Sequence, residues 1–292
     1  MSLDKDFAPF VRRDEPLAPH TWFHLGGPAE FFAEPQSVDQ LQAIVRRCHE
    51  TQTTVRLLGG GSNVLVRDEG VSGVVIHLSA PAFNEIKITK QTLTAGGGAK
   101  LGHAISVSVR EGLAGLEALV GIPGSIGGAL HGNAGSHGGD IGQWTSRATV
   151  MTRRGEILER ASDELVFAYR ESSLDELVII SAQFELEQDD PEQLTKRMQT
   201  QWIIKKANQP LGHQSAGCIF KNPRGMSAGM LIDQAGLKNT RYGQAVVSDR
   251  HANFIVAEAG AKSADVLQLI DVVRERVSDR LGIDLETEIE IW

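Results

Sequence analysis

Helical and strand-like segments alternate along the whole chain, which restricts the fold to α+β or α/β. Three observations carry this. Apolar residues recur at helical spacing near 38–48, 101–110 and 263–281. Short apolar or alternating runs of strand character lie between them, at 55–58, 74–78, 85–95, 177–186 and 285–292. With 292 residues and 41% hydrophobic content, the chain is long enough for two or three domains and a sizeable core.

Residues 1–18 read as an irregular lead-in, followed by a strand at 29–33. Ser37 is a good helix N-cap, with Gln40 three residues on as a capping box. Val38, Leu41, Ile44, Val45 and Cys48 then share one helical face, so Cys48 reads as a small core residue. The strand 55–58 runs into Gly59-Gly-Gly-Ser-Asn63 and a second strand at 64–67. This turn offers consecutive N–H groups, with Ser62 and Asn63, to a diphosphate, although on its glycines alone a plain tight turn would do. It is no P-loop, because Gly-Lys-Ser/Thr is missing and no helix follows directly. The segment 85–95 is a hairpin broken at Lys90-Gln91, and Gly112 sits where a C-terminal cap of the helix 101–110 belongs.

The stretch 115–139 is dense in glycine, with Pro123, Ser125 and Asn133 among the glycines. Such a stretch loses the most entropy on folding. It is worth ordering where backbone must approach a phosphate or a flat cofactor. A flexible linker would lack the apolar anchors Leu116, Leu119, Val120, Ile122, Ile126 and Leu130. Beyond it, 147–160 reads as a hairpin turning at Arg153-Arg-Gly-Glu156, and 177–186 as a strongly apolar strand. Asp190-Pro191 caps a helix that carries Leu194, Met198, Trp202 and Ile203. The pattern breaks again from Pro210 to Pro223, where a domain boundary is expected. Ser227 caps a short helix ending at Gly236. Ser263 caps a long one, with Val266, Leu267, Ile270, Val273, Val277 and Leu281 inward and Gly282 at its end. The chain closes on an alternating strand whose face Glu286, Glu288 and Glu290 is charged.

A net charge of −8 argues against nonspecific nucleic-acid or anionic-membrane binding. No segment approaches the apolar length of a membrane span, and the N-terminal residues carry no signal-peptide apolar region. Two cysteines are too few for a disulfide framework, and a reducing cytoplasm is expected. The histidines are scattered, and no metal site is expected.

Four stretches in order carry a family resemblance. They are Leu58-Gly-Gly-Gly-Ser-Asn-Val-Leu-Val66, Gly121-Ile-Pro-Gly-Ser-Ile-Gly-Gly-Ala129 with Asn133-Ala-Gly135, Tyr169-Arg-Glu-Ser172, and Ser215-Ala-Gly-Cys-Ile-Phe-Lys-Asn-Pro223. Leu285-Glu-Thr-Glu288 and the segments 235–238 and 247–254 match as well. From about Thr21 onward the chain resembles the UDP-N-acetylenolpyruvoylglucosamine reductases, the MurB family of bacterial cell-wall synthesis. The resemblance implies an α+β protein with a two-lobed FAD-binding domain of the vanillyl-alcohol-oxidase type and a smaller α+β substrate-binding domain. The expected divisions are 18–90 and 91–202 for the FAD-binding lobes and 203–292 for the substrate domain. It further implies noncovalent FAD, NADPH as reductant, and UDP-N-acetylglucosamine enolpyruvate as substrate. Hydride would pass from FAD N5 to C3 and a proton to C2. The modest interval between Arg170 and Cys218 and the early end of the chain point to the family's shorter form, without an extra substrate-covering loop.

By the same resemblance, Gly59, Gly60, Gly61, Ser62 and Asn63, with Gly121, Ile122, Pro123, Gly124, Ser125, Gly127 and Gly128, would hold FAD. Tyr169, Lys221 and Asn222 would contact substrate. Arg170 would steady the charge that develops at the substrate carboxylate, as a guanidinium can bidentately; an arbitrary arginine would more simply form a structural salt bridge. Glu288 would help polarise the carboxylate as a proton-sharing partner, although alternation alone makes it a solvent-facing glutamate. Cys218 stands where the commoner family pattern has the serine that protonates C2. A thiol has a reference pKa of roughly 8.5, so it can fill that role. The rival reading is an inert buried thiol, with water or a neighbouring hydroxyl such as Ser215 as donor. Two other readings stand beside this one. One is a different flavoenzyme of the same fold, with His131 or His137 as a point of covalent flavin attachment. The other is a nucleotide-sugar-binding module without chemistry.

Overall fold

The computed structural model describes residues 3–136 and 139–292. The chain forms two compact units. The first gathers the residues up to Asp14 with Glu30–Gly60 and Ser72–Ile203, and the second gathers Glu15–Ala29, Gly61–Val71 and Ile204–Trp292.

The first unit holds two sheets, each with its own hydrophobic cluster. One sheet orders its strands Val11–Pro16, Pro28–Ala33, Val71–His77, Val55–Leu58, the last two parallel with Leu58 opposite His77. The helix Val38–Glu50 buries Leu41, Ile44, Val45 and Cys48 in the cluster beside it. Ser37 Oγ accepts the Gln40 N–H as expected, but the Gln40 side chain reaches back to the N–H of Gln36, one residue earlier than a capping box requires. The other sheet is antiparallel, in the order Ile157–Ala161, Thr145–Met151, Val178–Glu185, Thr92–Gly96, Ile86–Thr89. Its cluster takes in Leu101, Ala104, Ile105 and Val109 from the helix Leu101–Arg110. Lys90 sits at φ 57 in the expected hairpin turn, and Gly112 at φ 70 just beyond the helix.

The second unit is built on the helix Ser263–Leu281, which buries Val266, Leu269, Ile270, Val273 and Val277. An antiparallel sheet of Arg241–Tyr242, Ala245–Val247 and Ile255–Ala257 belongs to the same unit. Gly282 at φ 68 closes the helix. Ser263 is its first residue rather than its cap. The first N–H groups go to Asp68, whose two oxygens accept from Ser263 and Ala264 at 3.0 and 3.1 Å.

Two expectations are corrected, on the lead-in and the terminal strand. The lead-in is ordered, as a helical turn Leu3–Asp6 and an edge strand Val11–Pro16. That strand is polar and mostly exposed, so it carries no alternation signal; Leu3, Phe10 and Val11 anchor it. On the helix Pro191–Asn208, Leu194 is buried but Trp202 and Ile203 are 42% and 66% exposed. The terminal strand shrinks to Glu290–Ile291, parallel to Val64–Leu65, plus a single bridge between Phe220 and Thr287.

Candidate active site

In the first unit, the strand Val55–Leu58 delivers Gly59 and Gly60 against the stretch 121–128. A Cβ on Gly60 would lie 2.7 Å from Gly124 Cα, and one on Gly59 would lie 2.5 Å from Ser125 Oγ. Two loops more than sixty residues apart therefore meet backbone to backbone, and any side chain would part them. Gly121 and Gly124 are left-handed, at φ 80 and 114.

The N–H groups of this stretch divide into two sets. Ile122 donates to Leu119, Ile126 to Ala99, Gly127 to Gly97, and Gly128 to the capping Ser125 hydroxyl. Among the described residues, the N–H groups of Gly60, Gly121 and Gly124 meet no acceptor. Bare donors on glycines, with a Cβ on Gly60 colliding, fit the diphosphate of FAD.

Tyr169 and Arg170 form the turn of the hairpin Phe167–Ala168/Glu171–Ser172. Arg170 is held at φ 59, a conformation that costs a non-glycine residue about 1–3 kcal/mol. The turn is tied down by its surroundings. Buried Asn133 donates to the Ala168 carbonyl at 2.8 Å and accepts the Gly142 N–H at 3.1 Å. Arg170 Nη1 lies 3.5 Å from the Gly135 carbonyl, and its guanidinium stacks over Tyr169 at 5.2 Å. Ser172 Oγ donates to the His131 carbonyl. His131 Nδ1 lies 3.4 Å from the Leu174 carbonyl, while His137 is outside the described residues.

In the second unit, Cys218 follows Gly217, which is at φ 76 with open space where its Cβ would be. Cys218 is half-buried. The next residue, Ile219, donates to the Asn253 carbonyl at 2.9 Å and accepts the Glu288 N–H at 2.8 Å. This pairing brings the cysteine segment and the glutamate segment side by side. Lys221 pairs with Glu286 at 2.6 Å, and Asn222 accepts the Ala228 N–H at the start of the helix Ala228–Gln234. Ser215 Oγ is buried and has no hydrogen-bond partner among the described residues.

Gly61, at φ 64, accepts the Trp22 N–H through its carbonyl, and a Cβ on it would strike the His20 carbonyl. Asn63 gives its carboxamide N–H to the Glu288 carbonyl at 3.1 Å, so part of its side chain positions the glutamate segment. The other cysteine is set apart: Cys48 is buried, and burial pushes its thiol up to about 11. Among the described residues, no group of three His, Cys, Asp or Glu side chains could hold a metal ion. No described helix is long and apolar enough to cross a membrane.

Sequence reasoning missed Asn133 and Asn253 as clamps on the two candidate segments. A buried asparagine in a loop carries no periodic signal, and both are explained only by their long-range bonds.

Comparison with known proteins matches residues 209–292 to the model described as UDP-N-acetylenolpyruvoylglucosamine reductase, C-terminal domain, and residues 29–160 to an FAD binding domain. The UDP-N-acetylenolpyruvoylglucosamine reductase of Heliobacterium modesticaldum is 42% identical over 292 residues, spanning 99% of this chain and 93% of that one. The reductase of the same name from Rhodopirellula baltica is 41% identical over 288 residues, spanning 99% and 94%. The crystal structure of the MurB enzyme from Thermus caldophilus superposes with a TM-score of 0.83 at 35% identity, covering 97% of this chain and all of that one.

Proposed function

The chain belongs to the UDP-N-acetylenolpyruvoylglucosamine reductase family, and on that footing we propose that it reduces UDP-N-acetylglucosamine enolpyruvate to UDP-N-acetylmuramate, with Arg170, Cys218 and Glu288 carrying the chemistry. The observation that supports this most is the likeness to a reductase of that name along 99% of the chain at 42% identity. NADPH is the reductant, and the product serves peptidoglycan synthesis. We assign the reaction to the cytoplasm, the compartment that two unbridged cysteines suit.

Gly59–Asn63 and 121–128 would cradle FAD noncovalently, and the bound flavin would supply the hydride for C3 of the enolpyruvyl group. The residues of the chain deal with the charge this creates. Addition at C3 drives negative charge onto C2 and the adjoining carboxylate. Arg170 holds that carboxylate through a planar fork of N–H donors. Its strained, clamped turn means that little reorganisation is needed as the charge grows. Glu288, from the other candidate segment, polarises the carboxylate by sharing a proton with it. Cys218 gives its S–H proton to C2, completing the C–H bond there, and the thiolate then recovers a proton from solvent. Tyr169, Lys221 and Asn222 contact substrate. The Lys221–Glu286 ion pair does not fix the lysine rigidly, because Glu286 is largely exposed. In domain terms, 18–90 and 91–202 serve FAD and 203–292 serves the substrate.

Anaerobic addition of NADPH to the FAD-loaded protein should bleach the flavin absorbance. Adding the enolpyruvyl substrate should restore it, with UDP-N-acetylmuramate as product. Bleaching without recovery would contradict the substrate assignment.

A further inference from the structure

A cysteine has one torsion between backbone and sulfur, so Sγ can occupy only about three positions for a given backbone. Placing a proton donor at Cys218 is therefore a matter of fixing the backbone around it. On one side, the Glu288 N–H meets the Ile219 carbonyl and the Lys221 N–H meets the Glu286 carbonyl, both at 2.8 Å. On the other side no strand runs alongside among the described residues, and Asn253 takes its place. Its Nδ2 donates to the Phe220 carbonyl at 2.8 Å, and its Oδ1 accepts the Phe220 N–H at 3.0 Å. Its own carbonyl accepts the Ile219 N–H at 2.9 Å.

One asparagine, 3% exposed, thus satisfies three backbone groups in the two residues after Cys218. Its own N–H donates to His251 Nδ1 at 3.3 Å, so the clamp is itself held. The residue type is informative. Only a carboxamide offers a donor and an acceptor at this reach; aspartate offers acceptors alone, and an apolar side chain would leave both Phe220 groups buried and unmatched.

We propose that Asn253 is a positioning residue for Cys218: by pairing with the backbone of Ile219 and Phe220 it fixes where the thiol is presented for proton transfer. The proposal rests on the reading of Cys218 as the proton donor.

Asn253→Asp keeps the shape of the side chain and its acceptor and removes the donor to the Phe220 carbonyl. In the FAD-loaded protein, bleaching by NADPH should stay within about twofold of wild type. Recovery of flavin absorbance on adding the enolpyruvyl substrate should slow about tenfold or more, because a small misplacement of a reacting group is enough to do so. Iodoacetamide labelling of Cys218, followed by mass spectrometry, should change in rate in the same variant. Bleaching and recovery slowed alike, or recovery and labelling both unchanged, would overturn the proposal. In the wild-type chain, the amides of Ile219 and Phe220 should exchange with solvent as slowly as those of the buried helices, and rapid exchange there would overturn it without any variant. If Cys218→Ala recovers as fast as wild type, the donor reading itself has failed, while labelling and amide exchange still judge the clamp.

Discussion

Asn63, Asn133 and Asn253 act alike, since each directs its carboxamide at backbone groups far away in sequence, 225, 35 and 33 residues off. Nothing local marks them, because the partner of a side chain-to-backbone bond is set by the tertiary fold. Arg170, Cys218 and Glu288 were legible only through the family resemblance; by themselves they read as an ion pair, a small core thiol and an exposed carboxylate. His251 adds a pH response at this scale. Burial first, then the charge of Lys238, holds its imidazole below the ordinary value of 6.5. The folded chain therefore takes up this proton at lower pH than the unfolded chain. The stabilisation is complete above the unfolded value and is lost as pH falls through the folded one. The melting temperature should drop on acidification below pH about 6.5, and less steeply in His251→Gln. Equal slopes in thermal melts of the two proteins would contradict this.

The helices were the most legible elements, since periodicity and end signals are local. Ser37, Gly112 and Gly282 all act where their residue types suggested. The start of the helix Ser263–Leu281 was not legible, because its first N–H groups are satisfied by Asp68, about two hundred residues away. Asp68→Ala should cost about 1–2 kcal/mol and lower the unfolding midpoint by a few degrees, with FAD still bound; an unchanged midpoint would show that the cap contributes nothing. Glycine loops announce themselves by composition, but the reason for each glycine needs the fold. Gly60 packs its backbone on Gly124. Gly60→Ala overpacks that contact by ~1–3 kcal/mol and should weaken FAD binding about tenfold or more, read as the flavin-to-protein ratio after gel filtration. Full retention of FAD would remove this contact from the cradle.

For the whole molecule, length and alternating patterning announced more than one core, and each unit has its own. The segments 15–29 and 61–71, which belong to the second unit, carry no sequence signal of that membership. A short segment reveals its unit only through long-range pairs, such as Val64–Leu65 with Glu290–Ile291. Likeness to the reductase family over 99% of the chain supports the reaction, and the roles of Arg170, Cys218 and Glu288 are proposed on that footing. The central claim is that Cys218 supplies the proton at C2. The direct measurement is a single turnover: wild type, Cys218→Ser and Cys218→Ala are reduced with NADPH under anaerobic conditions, mixed with the enolpyruvyl substrate, and followed by flavin absorbance. Recovery should slow by about 10²–10⁴ in Cys218→Ala and stay within about tenfold of wild type in Cys218→Ser, whose hydroxyl can donate the same proton. Recovery in Cys218→Ala at the wild-type rate would contradict the account.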